Sequence, residues 1–205
     1  WSHYCEKIRL ALNFTGLPWK AVPVSPLSMR EMRAYGFPAH LPTYTVPAIY
    51  DEATAVFVMD STPILRHLAS AYPDRPSLFP GDEQNRAAID AKLLELDTAL
   101  GLLARRLGYT QAILEIPDHL TTLFLGNLWA GFFNLPGVRR VSGWAIGMVL
   151  MKRFDMHRSE SLGDYEALEA YLLTIAERFA GSKYLVGDTF SAADLSLAAL
   201  LRPLT

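Results

Sequence analysis

The chain is 205 residues long, with 51% hydrophobic and 20% charged residues, a balance that excludes a disordered or fibrous protein and suits one large globular domain or two small ones. Its 19 basic and 21 acidic side chains leave a formal net charge of -2 and form no basic stripe that would neutralise phosphates, so nucleic acid is not an expected partner. The single cysteine, Cys5, rules out an internal disulfide and leaves a thiolate metal site without its other sulfurs; no metal is expected, and a reducing cytoplasm is the expected location.

The sequence begins at Trp1 without a methionine and stops at Thr205 inside an apolar helical pattern, so both ends read as trimmed, and the lack of a visible targeting segment carries little weight. From Cys5 to Phe14, Ile8, Ala11 and Leu12 recur at helical spacing and Gly16 supplies a left-handed stop. The run Trp19 to Val24 is rich in strand-forming residues and predicts a strand, and the polar stretch Ser25 to Gly36 predicts an irregular helix. Pro47 to Tyr50 and Ala55 to Met59, joined by Asp51-Glu52-Ala53-Thr54, predict paired antiparallel strands. A helix follows from Ser61 as its capping serine, with Ile64, Leu65, Leu68 and Ala71 on one face.

The proline-rich segment Pro73 to Asp82 predicts an interdomain linker. Beyond it no strand-rich run occurs. Ile89, Leu93, Leu96, Leu100, Leu103 and Leu107 predict one long amphipathic helix, Asp164 to Phe179 a second with Tyr165, Leu168, Leu172, Ile175 and Phe179 on one side, and Ser191 the start of a third. Ser191 and Asp194 have the spacing of a capping box, a structural motif with no part in site chemistry.

Three short motifs carry chemistry. Ser2 and Cys5 stand in an S-x-x-C arrangement at a helix N-terminus, where unpaired amides and the positive end of the helix dipole favour a sulfur anion. A thiol of ordinary pKa, about 8.5, becomes largely thiolate at neutral pH after one or two units of depression, which a serine hydroxyl helps to supply. Val46 and Pro47 enter a strand; with a cis bond between them the backbone of Val46 turns toward solvent, where an extended peptide can pair with it. Asp60 and Ser61 sit at a strand-to-helix junction, where free amides and a hydroxyl suit a carboxylate and the aspartate suits an ammonium. Taken singly, the first and third motifs are better explained by ordinary capping and packing.

Their order changes that balance. SHYCEKIRLAL, TVPAIYD, MDSTPILRHL and GDTFSAADLSLAALL, spread over essentially the whole chain, resemble the glutathione transferase superfamily, in its serine-type or otherwise unclassified, bacterial-like form. The resemblance implies an α/β thioredoxin-like N-terminal domain over residues 1–76, lacking its first strand, followed by an all-α helical C-terminal domain over residues 84–205. It implies that Ser2 is the catalytic hydroxyl, with Cys5 three residues on. Val46 before Pro47 would pair with the cysteinyl backbone of glutathione, and Asp60 with Ser61 would hold its γ-glutamyl end. Asp60 is shorter than the family's usual Glu or Gln. The resemblance further implies glutathione as co-substrate with no other cofactor, a small apolar electrophile as second substrate, and a homodimer.

Two other readings stay open: Cys5-dependent thiol-disulfide exchange or deglutathionylation, and a transferase-like fold kept as a non-catalytic binding module. Leu120 to Val138 carries no charge, and Val141 to Met151 is again apolar. The polar and glycine residues of the first run and the shortness of the second argue against a membrane span, which needs roughly 20 apolar residues. Trp129, Phe132, Phe133 and Trp144 then serve as a pocket wall, a core, or a face that associates with another surface.

Overall fold

The computed structural model describes residues 2–24, 30–37, 45–116, 118, 120–122, 135–153 and 161–204. The aromatic residues Trp129, Phe132 and Phe133 lie outside them. Helix α1 spans His3–Thr15, is capped at its start by Ser2, and stops at Gly16, whose φ of 65° is open to glycine at no steric cost. The segment from Trp19 to Val24 is exposed and irregular, not the expected strand. Strand propensity needs a neighbouring strand to take up N–H and C=O groups, and among the described residues none offers its edge to this segment.

A short helix α2 (Arg30–Ala34) falls inside the polar stretch. Strands β1 (Ala48–Asp51) and β2 (Val56–Met59) pair antiparallel with Ala48 opposite Met59 and Asp51 opposite Val56. Helix α3 (Ser61–Ala71) follows at once and buries Ile64, Leu65 and Leu68.

The segment after α3 is irregular as expected, yet it is no loose tether. Leu78 is fully buried, and its carbonyl accepts the N–H of Ala192 at 2.8 Å. Helices α4 (Glu83–Thr98) and α5 (Leu100–Glu115) replace the single long helix predicted, the break falling at Ala99. Thr98 Oγ1 bonds back to the carbonyl of Leu94 at 2.7 Å, the kind of side-chain competition that bends helices. The apolar stripe runs through the break, and all six of its leucine and isoleucine members are buried.

Helix α6 spans Pro136–Arg153 and α7 Ser161–Gly181. On α7 the buried stripe is narrower than predicted: Leu168 and Ile175 are buried, whereas Tyr165 and Phe179 are exposed. Helix α8 (Ala192–Leu201) opens with the predicted capping box, Asp194 Oδ2 accepting the N–H of Ser191 at 2.9 Å, and a 3-10 turn, Arg202–Leu204, follows.

The chain separates into two compact units. The first comprises Trp1–Ala21, His40–Leu102 and Leu168–Thr205; in it α8 packs on α1 and α4, α1 on α3, and α3 on the hairpin. The second comprises Val22–Ala39 and Leu103–Ala167, with a core of Ile113, Leu120 and Leu150 backed by Tyr109, Ile146 and Met151.

Candidate functional site

The first unit carries all the sequence-predicted site residues. Ser2 is the N-cap of α1: its extended backbone aims the hydroxyl back over the first turn, where it accepts the N–H of Cys5 at 3.4 Å. An oxygen engaged as acceptor keeps its own proton to donate. That leaves one hydroxyl donor at the positive end of a 13-residue helix.

Cys5 is half-buried. Burial pushes its thiol above the ordinary value, and the opposing pull of the Ser2 hydroxyl does not compensate. The sulfur is therefore poorly prepared as a nucleophile at neutral pH.

The second cluster lies where β1 begins and α3 starts. The Val46–Pro47 peptide is cis, and Val46 is 42% exposed just ahead of β1. Pro47 O accepts the N–H of Asp60 at 3.0 Å, which fixes the start of β1 against the start of α3. The cap of α3 is Asp60, not the predicted Ser61: Asp60 Oδ1 accepts the N–H of Ser61 at 2.6 Å. A carboxylate at Ncap satisfies an amide of the first turn and also complements the helix dipole, so it displaces serine from that position.

Ser61 then becomes the first helical residue. Its hydroxyl oxygen is buried and has no hydrogen-bond partner among the described residues. A buried hydroxyl without a partner is costly and is recovered only if another polar group reaches it. Asp60 itself is held at φ 72° and ψ 144°, a region that disfavours side chains.

What joins these two clusters is a residue the sequence reading passed over. Lys7 is fully buried, with its ammonium 3.0 and 3.1 Å from the two carboxylate oxygens of Asp97 on α4 and 3.4 Å from Thr62 Oγ1 on α3. Thr62 in turn donates to Asp97 Oδ2 at 3.0 Å, and the Tyr4 hydroxyl donates to the Asp97 carbonyl at 3.2 Å. Burial lowers the pKa of Lys7, and the nearby Asp97 and Asp60 charges act against that. One carboxylate thus ties the opening turn of α1 to the opening turn of α3. The signal was present, since His3, Lys7, Ala11 and Thr15 fall at steps of four on the buried face of α1.

A third polar cluster braces the hairpin. Asp51 accepts hydrogen bonds from Tyr72 Oη at 2.6 Å, from the Ala53 N–H at 3.1 Å, and from His67 Nε2, which lies 2.7 Å away. Burial alone would raise its pKa, but these bonds outweigh it and hold the carboxyl at about 2. Among the described residues no group of His, Cys, Asp and Glu side chains could hold a metal ion.

The comparisons with known proteins agree with one another. A sequence model of the glutathione S-transferase N-terminal domain matches residues 1–76, and one of the glutathione S-transferase C-terminal domain matches residues 145–204. The glutathione S-transferase-like protein ustS of Aspergillus flavus is 33% identical over 96 residues, 42% of this chain and 34% of its own, so the match spans about a third of that curated relative. Among solved structures, glutathione transferase GSTFuA3 of Phanerochaete chrysosporium is 26% identical with a TM-score of 0.69, covering 100% of this chain and 78% of that one. Glutathione S-transferase CsGST63524 of Ceriporiopsis subvermispora, solved in complex with glutathione, is 24% identical with a TM-score of 0.62, covering 99% of this chain and 79% of its own. At that identity the likeness speaks for the fold alone. These relatives are fungal. The fold class is a thioredoxin-like N-terminal domain followed by a helical C-terminal domain.

Proposed function

The chain belongs to the glutathione transferase superfamily, and from that premise we propose that it is an enzyme which binds glutathione, holds its thiolate at Ser2, and delivers it to a small apolar electrophile. The observation that carries this reading is the Ser2 hydroxyl standing as the N-cap of α1, where it accepts the Cys5 N–H at the positive end of the helix. A thiolate placed there receives one O–H···S bond and the favourable end of the helix dipole.

In this reading the tripeptide lies along Val46 and Pro47, pairing its cysteinyl backbone with the peptide group of Val46, an exposed residue. Its γ-glutamyl carboxylate reaches the buried Ser61 hydroxyl, whose missing partner it supplies, and its ammonium faces Asp60. The thiol proton leaves to solvent, the sulfur lone pair forms the new carbon–sulfur bond, and the electrophile's leaving group departs with the displaced electron pair. The match of residues 1–76 to the glutathione S-transferase N-terminal domain supports the choice of co-substrate. A homodimer in the cytoplasm, with no cofactor beyond glutathione, completes the proposal.

The elevated Cys5 thiol weighs against the exchange and deglutathionylation reading. Ser2→Ala is expected to lower the conjugation rate about a hundredfold, as loss of one stabilising donor does elsewhere, and to move the apparent thiol pKa of bound glutathione back toward about 8.5. Cys5→Ala should keep its rate within about threefold of wild type, small against the effect of losing a donor. Equal loss in both variants, or no glutathione-dependent heat in calorimetry, overturns the assignment; binding without turnover on any electrophile makes the chain a binding module.

A further inference from the structure

Helix α6 (Pro136–Arg153) turns one face inward and leaves the other bare. Inward, Gly143, Gly147 and Leu150 are buried, with Leu150 in the core of the second unit and no room at Gly147 for a side chain beside Ile113. Outward, Arg140, Val141, Trp144, Ala145, Met148, Val149 and Lys152 fall at steps of three and four along one exposed stripe. Its apolar members are open to solvent to an unusual degree: Val141 69%, Trp144 58%, Met148 48% and Val149 67%.

The charge pattern says what such a stripe fits. Arg139, Arg140, Lys152 and Arg153 lie within the helix, and it contains no aspartate or glutamate. Arg139 is engaged with the Asp118 carbonyl and the Thr122 hydroxyl, and among the described side chains of the helix Arg140 and Lys152 are the exposed cations that bracket the apolar patch. They stand twelve residues apart, about 18 Å along the axis. An apolar strip with a tryptophan in it, flanked at both ends by cations and free of carboxylates, is the pattern of a helix that lies in the plane of a membrane interface.

A second copy of the same helix is a poorer match. Packed antiparallel it would set Arg140 against Lys152 of its twin with no carboxylate on the helix to pair either. No helix among the described residues is long and apolar enough to cross a membrane, which leaves the interface and not the interior as the place for this one.

We propose that the exposed face of α6 is a docking surface for an anionic phospholipid bilayer, with Val141, Trp144, Met148 and Val149 entering the headgroup boundary and Arg140 and Lys152 held at the lipid phosphates. The surface belongs to the second unit, and the residues assigned to glutathione belong to the first.

The test is co-sedimentation of the whole chain with extruded vesicles of phosphatidylcholine alone and of phosphatidylcholine mixed with phosphatidylserine. The chain is expected to partition onto the anionic vesicles, to stay in solution with the neutral ones, and to be released by salt. The double change Arg140→Gln and Lys152→Gln should weaken partition about thirtyfold, roughly fivefold for each cation lost. Trp144→Ser with Val149→Ser should weaken it about tenfold or more while the circular dichroism and melting profile stay those of the wild type. Three results overturn the proposal: no partition onto anionic vesicles at lipid excess, partition that both double variants retain, or a dimer in sedimentation equilibrium that Trp144→Ser with Val149→Ser dissolves while vesicles go unbound.

Discussion

Helices α1 and α6 invert the usual arrangement in opposite ways. Each sits in its own unit: α1 buries a lysine completely, and α6 displays a tryptophan and two valines. Lys7 stays inside because Asp97 and Thr62 supply its hydrogen bonds, whereas the apolar side chains of α6 stay outside because the helix has already turned its glycine-rich face, with Leu150, to the core that holds Ile113 and Leu120. Burial here follows from which face meets a partner, and polarity decides only what that partner has to provide.

The hardest blow to this contrast is removal of the buried end of the Lys7–Asp97 pair. Lys7→Ala leaves the Asp97 carboxylate without its ammonium and should cost about 3 to 5 kcal/mol in a urea unfolding titration. Lys7→Met combined with Asp97→Leu should recover most of that loss, since a well-packed apolar pair often replaces a buried ion pair at little cost. If the double variant is as unstable as the single one, the pair is doing more than neutralising itself.

A second buried charge sharpens the same point. Asp51→Asn removes an anion that Tyr72, His67 and the Ala53 amide all address, and should destabilise by about 2 kcal/mol. Those bonds hold the carboxyl at about 2 in the folded protein, below its ordinary 3.8. A carboxyl depressed by folding contributes fully above its unfolded pKa and loses that contribution as the pH falls through its folded one. The gap between wild type and Asp51→Asn should therefore hold above about pH 4 and close on the way down to about pH 2; a gap that persists below that range points to packing and not charge.

On α6 the expectation reverses. Trp144→Ser should move the unfolding midpoint by no more than about 0.5 kcal/mol, because the side chain is mostly in water already. A loss of 2 kcal/mol or more would mean that the indole is part of a core.

Much of this architecture was legible in the sequence because the relevant signals are local. Gly16 ends α1, the hairpin forms around Asp51 to Ala55, and Ser191 with Asp194 closes its box within four residues. What escaped depends on partners far along the chain. The run Trp19 to Val24 has strand composition but no adjoining strand, and Lys7 reads as a surface residue until Asp97, ninety positions on, is known to meet it. The cap of α3 failed for a subtler reason: Asp60 and Ser61 are both good capping residues, and backbone torsion chose between them.

The torsion at Asp60 has an evolutionary side. A backbone bent to φ 72° and ψ 144° would be easier for glycine to adopt, and Asp60→Gly should gain on the order of 1 kcal/mol from relieved strain, less whatever the lost cap had contributed. A residue that the chain tolerates against its own stability is a candidate for being kept by selection on what the folded protein does. If Asp60→Gly melts higher yet binds glutathione worse, the aspartate marks a position where durability has been traded for recognition.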